Sequence, residues 1–157
     1  MGGEKRQHPV IMRQRTAALQ AVIDHLNACD ADFIPALSTR VSISDYAQKL
    51  HRHAELFEAW SGETLAGLAA VYVNQTARNT AFLSSLSVLP TFRQRGIASQ
   101  LLAKAIAYCE DANVAVISLE VDHRNEPARR FYVAHSFTVA QDAIPTLSMT
   151  MTLTPQP

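Results

Sequence analysis

Hydrophobic residues recur along this chain with the two periods that distinguish helices from strands. Over residues 97–111 the apolar side chains fall on one face of a 3.6-residue helix, and Gly96 stands just before its first turn. Over 147–153 leucine and methionine alternate with serine and threonine, which predicts a half-buried strand. Both segments are long enough and regular enough to predict their elements without further support.

Shorter segments complete the pattern. The first predicted helix follows Thr16, which we expect to cap it, and the second begins at Ser42 or Ser44. The apolar positions of a strand over 81–88 change phase between Leu83 and Leu86, which a β-bulge would cause. The remaining predicted elements are strands at 10–13, 56–60, 65–73 and 114–121 and a helix over 127–134.

The order of elements predicts how the sheet is connected. Strand, helix, strand and helix follow one another from residue 81 to 135, so the strands 81–88 and 114–121 should be parallel neighbours. Hairpins around this unit add antiparallel strands. We therefore predict an α/β (α+β) fold with a mixed, mostly antiparallel sheet of about six to seven strands and about four flanking helices. One domain should span 9–157, preceded by a flexible leader at 1–8.

Composition and charge exclude several classes of function. The chain has 157 residues with 14 Lys and Arg against 14 Asp and Glu, so we expect no nucleic acid and no membrane as partner. The first fifteen residues lack an apolar core of signal-peptide length, which favours a cytoplasmic location. Cys29 and Cys109 fit small core residues, and no histidine spacing predicts a metal site.

The segment between the strand 81–88 and the helix 97–111 carries the clearest chemistry. The first amides of a helix have no intrahelical partner and lie at the positive end of its dipole, so they can bind phosphate. Gly96 leaves room for a backbone approach, while Arg93 and Arg95 add positive charge. We predict an anion, most simply a pyrophosphate, at this loop. A solvated basic turn remains the alternative, since neither GxxxxGK[ST] nor GxGxxG is present.

Two motifs in the right order resemble one enzyme family. The pattern Val88-x-Pro90-x-x-Arg93-x-x-Gly96-Ile97-Ala98 resembles the acyl-CoA pyrophosphate loop of the GNAT superfamily of N-acetyltransferases. The downstream residues that are similar to its second half are Leu119, Glu120, Val121, Asn125, Ala128, Phe131, Tyr132 and Phe137. The resemblance covers about residues 65–140 and departs at Ser136, where glycine is usual. It implies a GNAT-like fold in which the central parallel strands splay apart.

The resemblance implies acetyl-CoA (coenzyme A) as cofactor and assigns residues to it. Backbone groups of the strand at Leu86, Ser87 and Val88 would pair with the pantetheine arm. Asn125 would hydrogen-bond the arm near its sulfur, next to Ala128. The pyrophosphate would be held by amides of Arg93, Gln94, Arg95, Gly96, Ile97, Ala98 and Ser99.

The same resemblance implies an acid and a base for acetyl transfer to an amine. Tyr132 matches the tyrosine that acts as general acid in many members, although a half-buried core tyrosine is the alternative. Glu120 lies 12 residues before Tyr132, a spacing similar to that in bacterial ribosomal-protein N-terminal acetyltransferases, whose glutamate is the proposed base. We expect burial to raise the pKa of Glu120. Otherwise Glu120 caps a loop or binds an ammonium, and water held by a serine takes the proton; the serines are Ser84, Ser85 and Ser87.

The family resemblance predicts the chemical class of the acceptor but not its identity. The resemblance places acceptor specificity in about residues 30–58 and 141–146, and it implies a small-molecule or peptide amine. An amino sugar or a peptide or protein α-amine fits the polar and aromatic residues there, and a homodimer is a further expectation. A non-catalytic acyl-CoA-binding sensor of the same fold is the alternative function.

Overall fold

A seven-stranded mixed sheet forms the centre of the molecule in the computed structural model, which describes residues 8–74 and 79–153. The strands are β1 Val10–Gln14, β2 Glu55–Ser61, β3 Thr64–Asn74, β4 Thr80–Val88, β5 Val116–Asp122, β6 Thr138–Gln141 and β7 Thr146–Thr152. The helices are α1 Leu19–Cys29, α2 Ile43–His53, α3 Ile97–Asp111 and α4 Glu126–Ala134. Short 3₁₀ turns lie at Asp30–Asp32, Leu37–Thr39 and Pro90–Phe92.

The strand order is β1-β2-β3-β4-β5-β7-β6, and within the described residues only β4 and β5 pair in parallel. This confirms the predicted fold class and the predicted crossover from β4 through α3 to β5. The apolar faces of α1 and α2 bury one side of the sheet in a core that includes Leu26, Leu50 and Leu68. On the other side α3 packs over β2, β3 and β4 in a second core that includes Leu101 and Ile117.

A bulge in β4 explains the phase change in its hydrophobic pattern. Ala70 of β3 pairs with Ser85 and the next residue, Val71, pairs with Leu83, so Ser84 is the extra residue of the bulged strand. This confirms the bulge predicted between Leu83 and Leu86. Because β4 has one extra residue here, each later side chain of the strand faces the side of the sheet opposite to the one that strict alternation predicts.

The parallel pairing between β4 and β5 ends early. The two strands pair at only three positions, the last of which joins Phe82 to Ser118. Beyond that point β4 continues against β3 as far as Val88, while β5 continues against β7 as far as Asp122. A gap therefore opens between the carboxyl halves of the two parallel strands, as the family resemblance implies.

The start of α1 differs from the prediction. Ala18 is the N-cap of α1, and Thr16 instead donates through its hydroxyl and its amide to the carboxylate of Glu58. Glu58 is fully buried in β2, and it also accepts from the amide of Ala17 and the indole of Trp60. The prediction failed because a buried carboxylate from a distant strand takes the hydrogen bonds that a local cap would have made.

Other local expectations are met or fall outside the described residues. Ser42 caps α2 by accepting from the amide of Asp45. Both cysteines are buried, and burial raises the pKa of each thiol to about 11, as expected of inert core residues. Ser136 adopts a φ of +73°, which explains why glycine is usual at this turn. Of the predicted leader, residues 1–7 lie outside the described part of the chain, and the carbonyl of His8 accepts from Ser61.

Candidate active site

The gap between β4 and β5 is the floor of a cleft of about 600 Å³. One wall carries residues predicted to serve catalysis and the cofactor arm, namely Leu86, Glu120, Asn125, Ala128 and Tyr132. The opposite wall comes from the segment between α1 and α2 and from Tyr46 of α2. Pro145 and Thr146 close the cleft at the end of β7. The structure thus brings the proposed acid and base into one cleft with the region predicted to select the acceptor.

The loop from β4 to α3 lies outside this lining, at the carboxyl end of β4. Gly96 is the N-cap of α3 with a φ of +76°, a conformation that favours glycine. A Cβ built on Gly96 meets no atom within 4 Å, so open space lies where a side chain would stand. Among the described residues, the amides of residues 97–99 find no backbone acceptor, as the first turn of a helix requires. These observations fit a cradle for a phosphate group.

The arginines of this loop are engaged by the protein itself. The guanidinium of Arg93 lies 2.7 Å from the carboxylate of Asp32 and also donates to the carbonyl of Val88. The Arg93 amide donates to Pro90 and closes a 3₁₀ turn, so this predicted phosphate donor is already in use. Arg95 donates to the carbonyl of Thr91 and stacks on Phe92. Backbone amides after the arginines, rather than arginine side chains, therefore remain for an anion.

Residues of α4 present the other predicted cofactor contacts. Asn125 caps α4, because its side-chain oxygen accepts from the amide of Ala128 at 3.3 Å. This hydrogen bond uses the oxygen and leaves the amide nitrogen of the side chain as a donor toward the cleft. The ring of Tyr132 packs edge-on against Phe137 at 5.6 Å. Burial raises the pKa of Tyr132, which keeps its hydroxyl protonated at neutral pH.

Glu120 faces the cleft but is not buried. Its side chain is exposed, although the flanking Leu119 and Val121 are buried against the core. The expectation that Glu120 is buried is wrong, because the gap next to β5 gives this side chain access to water. Among the described residues Glu120 has no ion-pair or hydrogen-bond partner, so its carboxylate is available to a ligand.

Of the three serines considered as water holders, two are already bonded. The hydroxyl of Ser84 lies 2.6 Å from that of Tyr46, and the hydroxyl of Ser87 lies 2.9 Å from Nε2 of His25. Ser85 is buried and lines the cleft, and its hydroxyl has no hydrogen-bond partner among the described residues. Ser85 is therefore the serine that can hold a water or a ligand group.

His25 is a buried polar residue beside the site that the sequence did not single out. Its Nδ1 lies 2.8 Å from the carbonyl of Leu65, so the ring bridges β3 and β4 through Ser87. Burial lowers the pKa of His25, which favours the neutral ring in this position. A signal was present, since His25 stands three residues after Val22 and therefore on the buried face of α1.

The described ranges were also compared with the arrangements that bind metal ions or cross membranes. No group of three or more His, Cys, Asp or Glu side chains in residues 8–74 and 79–153 is arranged to hold a metal ion. None of the helices in these ranges has the length and apolar character needed to cross a bilayer.

Many solved structures resemble this fold, and two of them are N-acetyltransferases of stated function. The PaiA N-acetyltransferase of Thermoplasma acidophilum, in complex with coenzyme A, superposes with a TM-score of 0.72 at 16% identity, covering 91% of this chain and 99% of that chain. The ribosomal-protein-S18-alanine N-acetyltransferase of Escherichia coli gives a TM-score of 0.70 at 18% identity, covering 94% and 97%. At such identities the likeness concerns the fold.

Sequence comparison identifies the family. An uncharacterized N-acetyltransferase of Archaeoglobus fulgidus is 42% identical over 52 residues, which are 33% of this chain and 35% of that relative. The matched region thus spans about a third of the relative's length. The profile described as the Acetyltransferase (GNAT) family matches residues 19–137, and this family uses acetyl-CoA, the cofactor predicted above. With most of its length matched, the chain belongs to the Acetyltransferase (GNAT) family.

Proposed function

We propose that this protein transfers an acetyl group from acetyl-CoA to a primary amine, by direct attack of the amine while both substrates are bound. The observation that carries the proposal is the gap between β4 and β5, which joins the cradle at Gly96 to the cleft that contains Glu120 and Tyr132. An extended ligand with a phosphate at one end and a reactive group at the other fits this arrangement. The two walls of the cleft differ in composition, which fits the binding of two separate substrates.

The cofactor side is formed by main-chain groups and one amide side chain. The amides of residues 97–99 hold the pyrophosphate at the positive end of the α3 dipole. The free edge of β4 at Leu86 offers backbone groups to the pantetheine arm, and Asn125 donates through its side-chain nitrogen. Acetyl-CoA supplies, when bound, the thioester carbonyl that the amine attacks. A backbone amide along the same edge stabilises the charge that develops on the carbonyl oxygen.

Tyr132 acts as the acid. Its hydroxyl has no hydrogen-bond partner among the described residues and opens onto the cleft, where Asn125 and Ala128 also lie. Burial raises the pKa of Tyr132, so the group is protonated when the reaction begins. The proton passes to the departing sulfur, which then leaves as a neutral thiol.

Glu120 accepts the proton of the attacking amine, either directly or through a water held by Ser85. Glu120 is exposed to the cleft, and among the described residues its carboxylate has no partner. Ser85 has a buried hydroxyl with a free hydrogen-bonding capacity in the same cleft. The acceptor that we propose, an amino sugar or a peptide or protein α-amine, enters from the wall between α1 and α2.

Replacing Tyr132 by phenylalanine tests the proposal. Tyr132→Phe should bind acetyl-CoA with unchanged affinity in calorimetry, and its rate of thiol release should fall by ~10–100-fold, the effect of losing one proton donor. Tyr108→Phe is the matched control, since Tyr108 packs on Phe57 away from the cleft. It should leave both measurements unchanged.

Two results would contradict the proposal at different points. Unaltered turnover by Tyr132→Phe on every amine would remove Tyr132 as the acid. A wild-type protein that binds acetyl-CoA but releases no thiol with peptides, polyamines or amino sugars would favour the non-catalytic acyl-CoA-binding module.

A further inference from the structure

The wall of the cleft opposite Tyr132 combines apolar side chains with one cation. Phe33, Ile34 and Val41 line it, and Arg40 stands among them. Ile34 and Val41 are each 39% exposed, which is high for side chains of this size and indicates a surface open to a ligand. Arg40 is exposed as well, and it is part of the lining of the cleft. Its positive charge also helps to lower the pKa of Asp122, which lines the same cleft.

The charges in the cleft are only partly neutralised by one another. Asp122 receives two hydrogen bonds from the guanidinium of Arg124, at 2.9 and 3.1 Å, and this pair is satisfied internally. Arg40 and Glu120 remain, and in the described part of the chain neither forms an ion pair or a side-chain hydrogen bond. One unpaired cation and one unpaired anion thus face the same space.

The loop that carries Arg40 is rigidly held. Ser38 donates through its amide and its hydroxyl to the carboxylate of Asp30, at 2.7 and 2.6 Å. The amide of Arg40 donates to the carbonyl of Leu37 at 3.0 Å, and Thr39 donates through its hydroxyl to Ala36. Because the backbone is held before any ligand arrives, a contact to Arg40 requires ordering of its side chain but not of the loop.

We propose that the acceptor is a primary amine that also carries an anionic group, a carboxylate or a phosphate, and that Arg40 binds this anion. The inference rests on the proposed function, because it assigns the amine end of the acceptor to Glu120 across the cleft. A guanidinium matches the geometry of both oxyanions and binds them through two parallel hydrogen bonds. Phe33 and Ile34 then cover the connecting part of the molecule.

Paired acceptors that differ only in the anion test the proposal. Thiol release is measured with β-alanine against propylamine for the carboxylate, and with O-phosphoethanolamine against ethanolamine for the phosphate. For at least one pair the wild-type KM should be ~10–100-fold lower for the anionic member, the scale of one charge-assisted hydrogen-bonded contact. In Arg40→Gln this preference should disappear, with kcat changed less than KM. Arg52→Gln, on α2 and outside the cleft, should retain the preference.

Each other outcome decides against the anion site or against the proposed function. Equal KM values within both pairs, or an equal loss by Arg40→Gln on both members, would overturn the inference and leave acetyl transfer intact. If no amine releases thiol, acetyl transfer fails, and the same amines are then titrated by calorimetry into the coenzyme A-loaded protein. Binding of an anionic amine that Arg40→Gln abolishes would retain the anion site, whereas absence of such binding would remove it.

Discussion

Replacing Gly96 by alanine separates a phosphate cradle from an ordinary helix cap. Gly96 has a φ of +76°, and holding an alanine there costs roughly 1–2 kcal/mol of stability. The added Cβ meets no protein atom within 4 Å, so no steric cost is added to this strain. For a chain of 157 residues the melting temperature should fall by about 2–8 °C. A bound phosphate, however, would occupy the space that the methyl group enters.

The affinity for acetyl-CoA should therefore fall far more than stability alone explains. Loss of one or more hydrogen bonds to a charged phosphate weakens binding by about 1.5–3 kcal/mol, which is ~10–100-fold in Kd measured by calorimetry. Gly62→Ala is the control for backbone strain, since Gly62 has a φ of +57° in the turn between β2 and β3, where an added Cβ also approaches the His8 ring at 2.9 Å. It should lower the melting temperature and leave the Kd unchanged. An unchanged Kd for Gly96→Ala, with the expected loss of stability, would refute the phosphate cradle.

Two further predictions concern titrating groups. Glu120→Gln should flatten the acidic limb of the kcat/KM profile, because glutamine cannot take the proton of the amine; an identical limb would assign this step to water or to the acceptor itself. Burial lowers the pKa of His25 below its ordinary 6.5, so below about pH 6.5 the unfolded chain binds a proton that the folded chain does not. The free energy of unfolding should then decrease by up to ~1.4 kcal/mol per pH unit as the pH falls, and His25→Asn should lose this dependence in urea titrations; an equal slope in both proteins would contradict it.

The regular elements of the fold were predictable because their patterns are long. The helix predicted over 97–111 coincides with α3, since a glycine in a left-handed conformation precedes an uninterrupted apolar face. β6 was not predicted as a strand, because its four residues are all exposed and no buried face imposes an alternation. The cap at Thr16 was wrong for a different reason, because Glu58 reaches it from a distance of 42 residues along the chain.

The motif residues of the site were predictable from the sequence, whereas their exposure and ion pairs were not. The motif residues Asn125, Ala128 and Tyr132 do meet in the cleft, because their spacing of three and four residues places them along one face of α4. The exposure of Glu120 could not be read from its apolar neighbours, since it depends on where β4 leaves β5. The Arg93–Asp32 ion pair likewise joins segments whose proximity only the folded chain establishes.

Because β4 and β5 separate early, each has an unpaired edge in the middle of the sheet. An outer edge strand can avoid unwanted pairing with other chains by being short, as β6 is. An unpaired edge inside the sheet must instead remain open to receive a ligand. A pantetheine arm lying along β4 would act as an additional strand, completing the peptide pairing that the protein leaves unfinished. Because such an arm would bind the folded sheet and not the unfolded chain, its binding would also raise the free energy of unfolding.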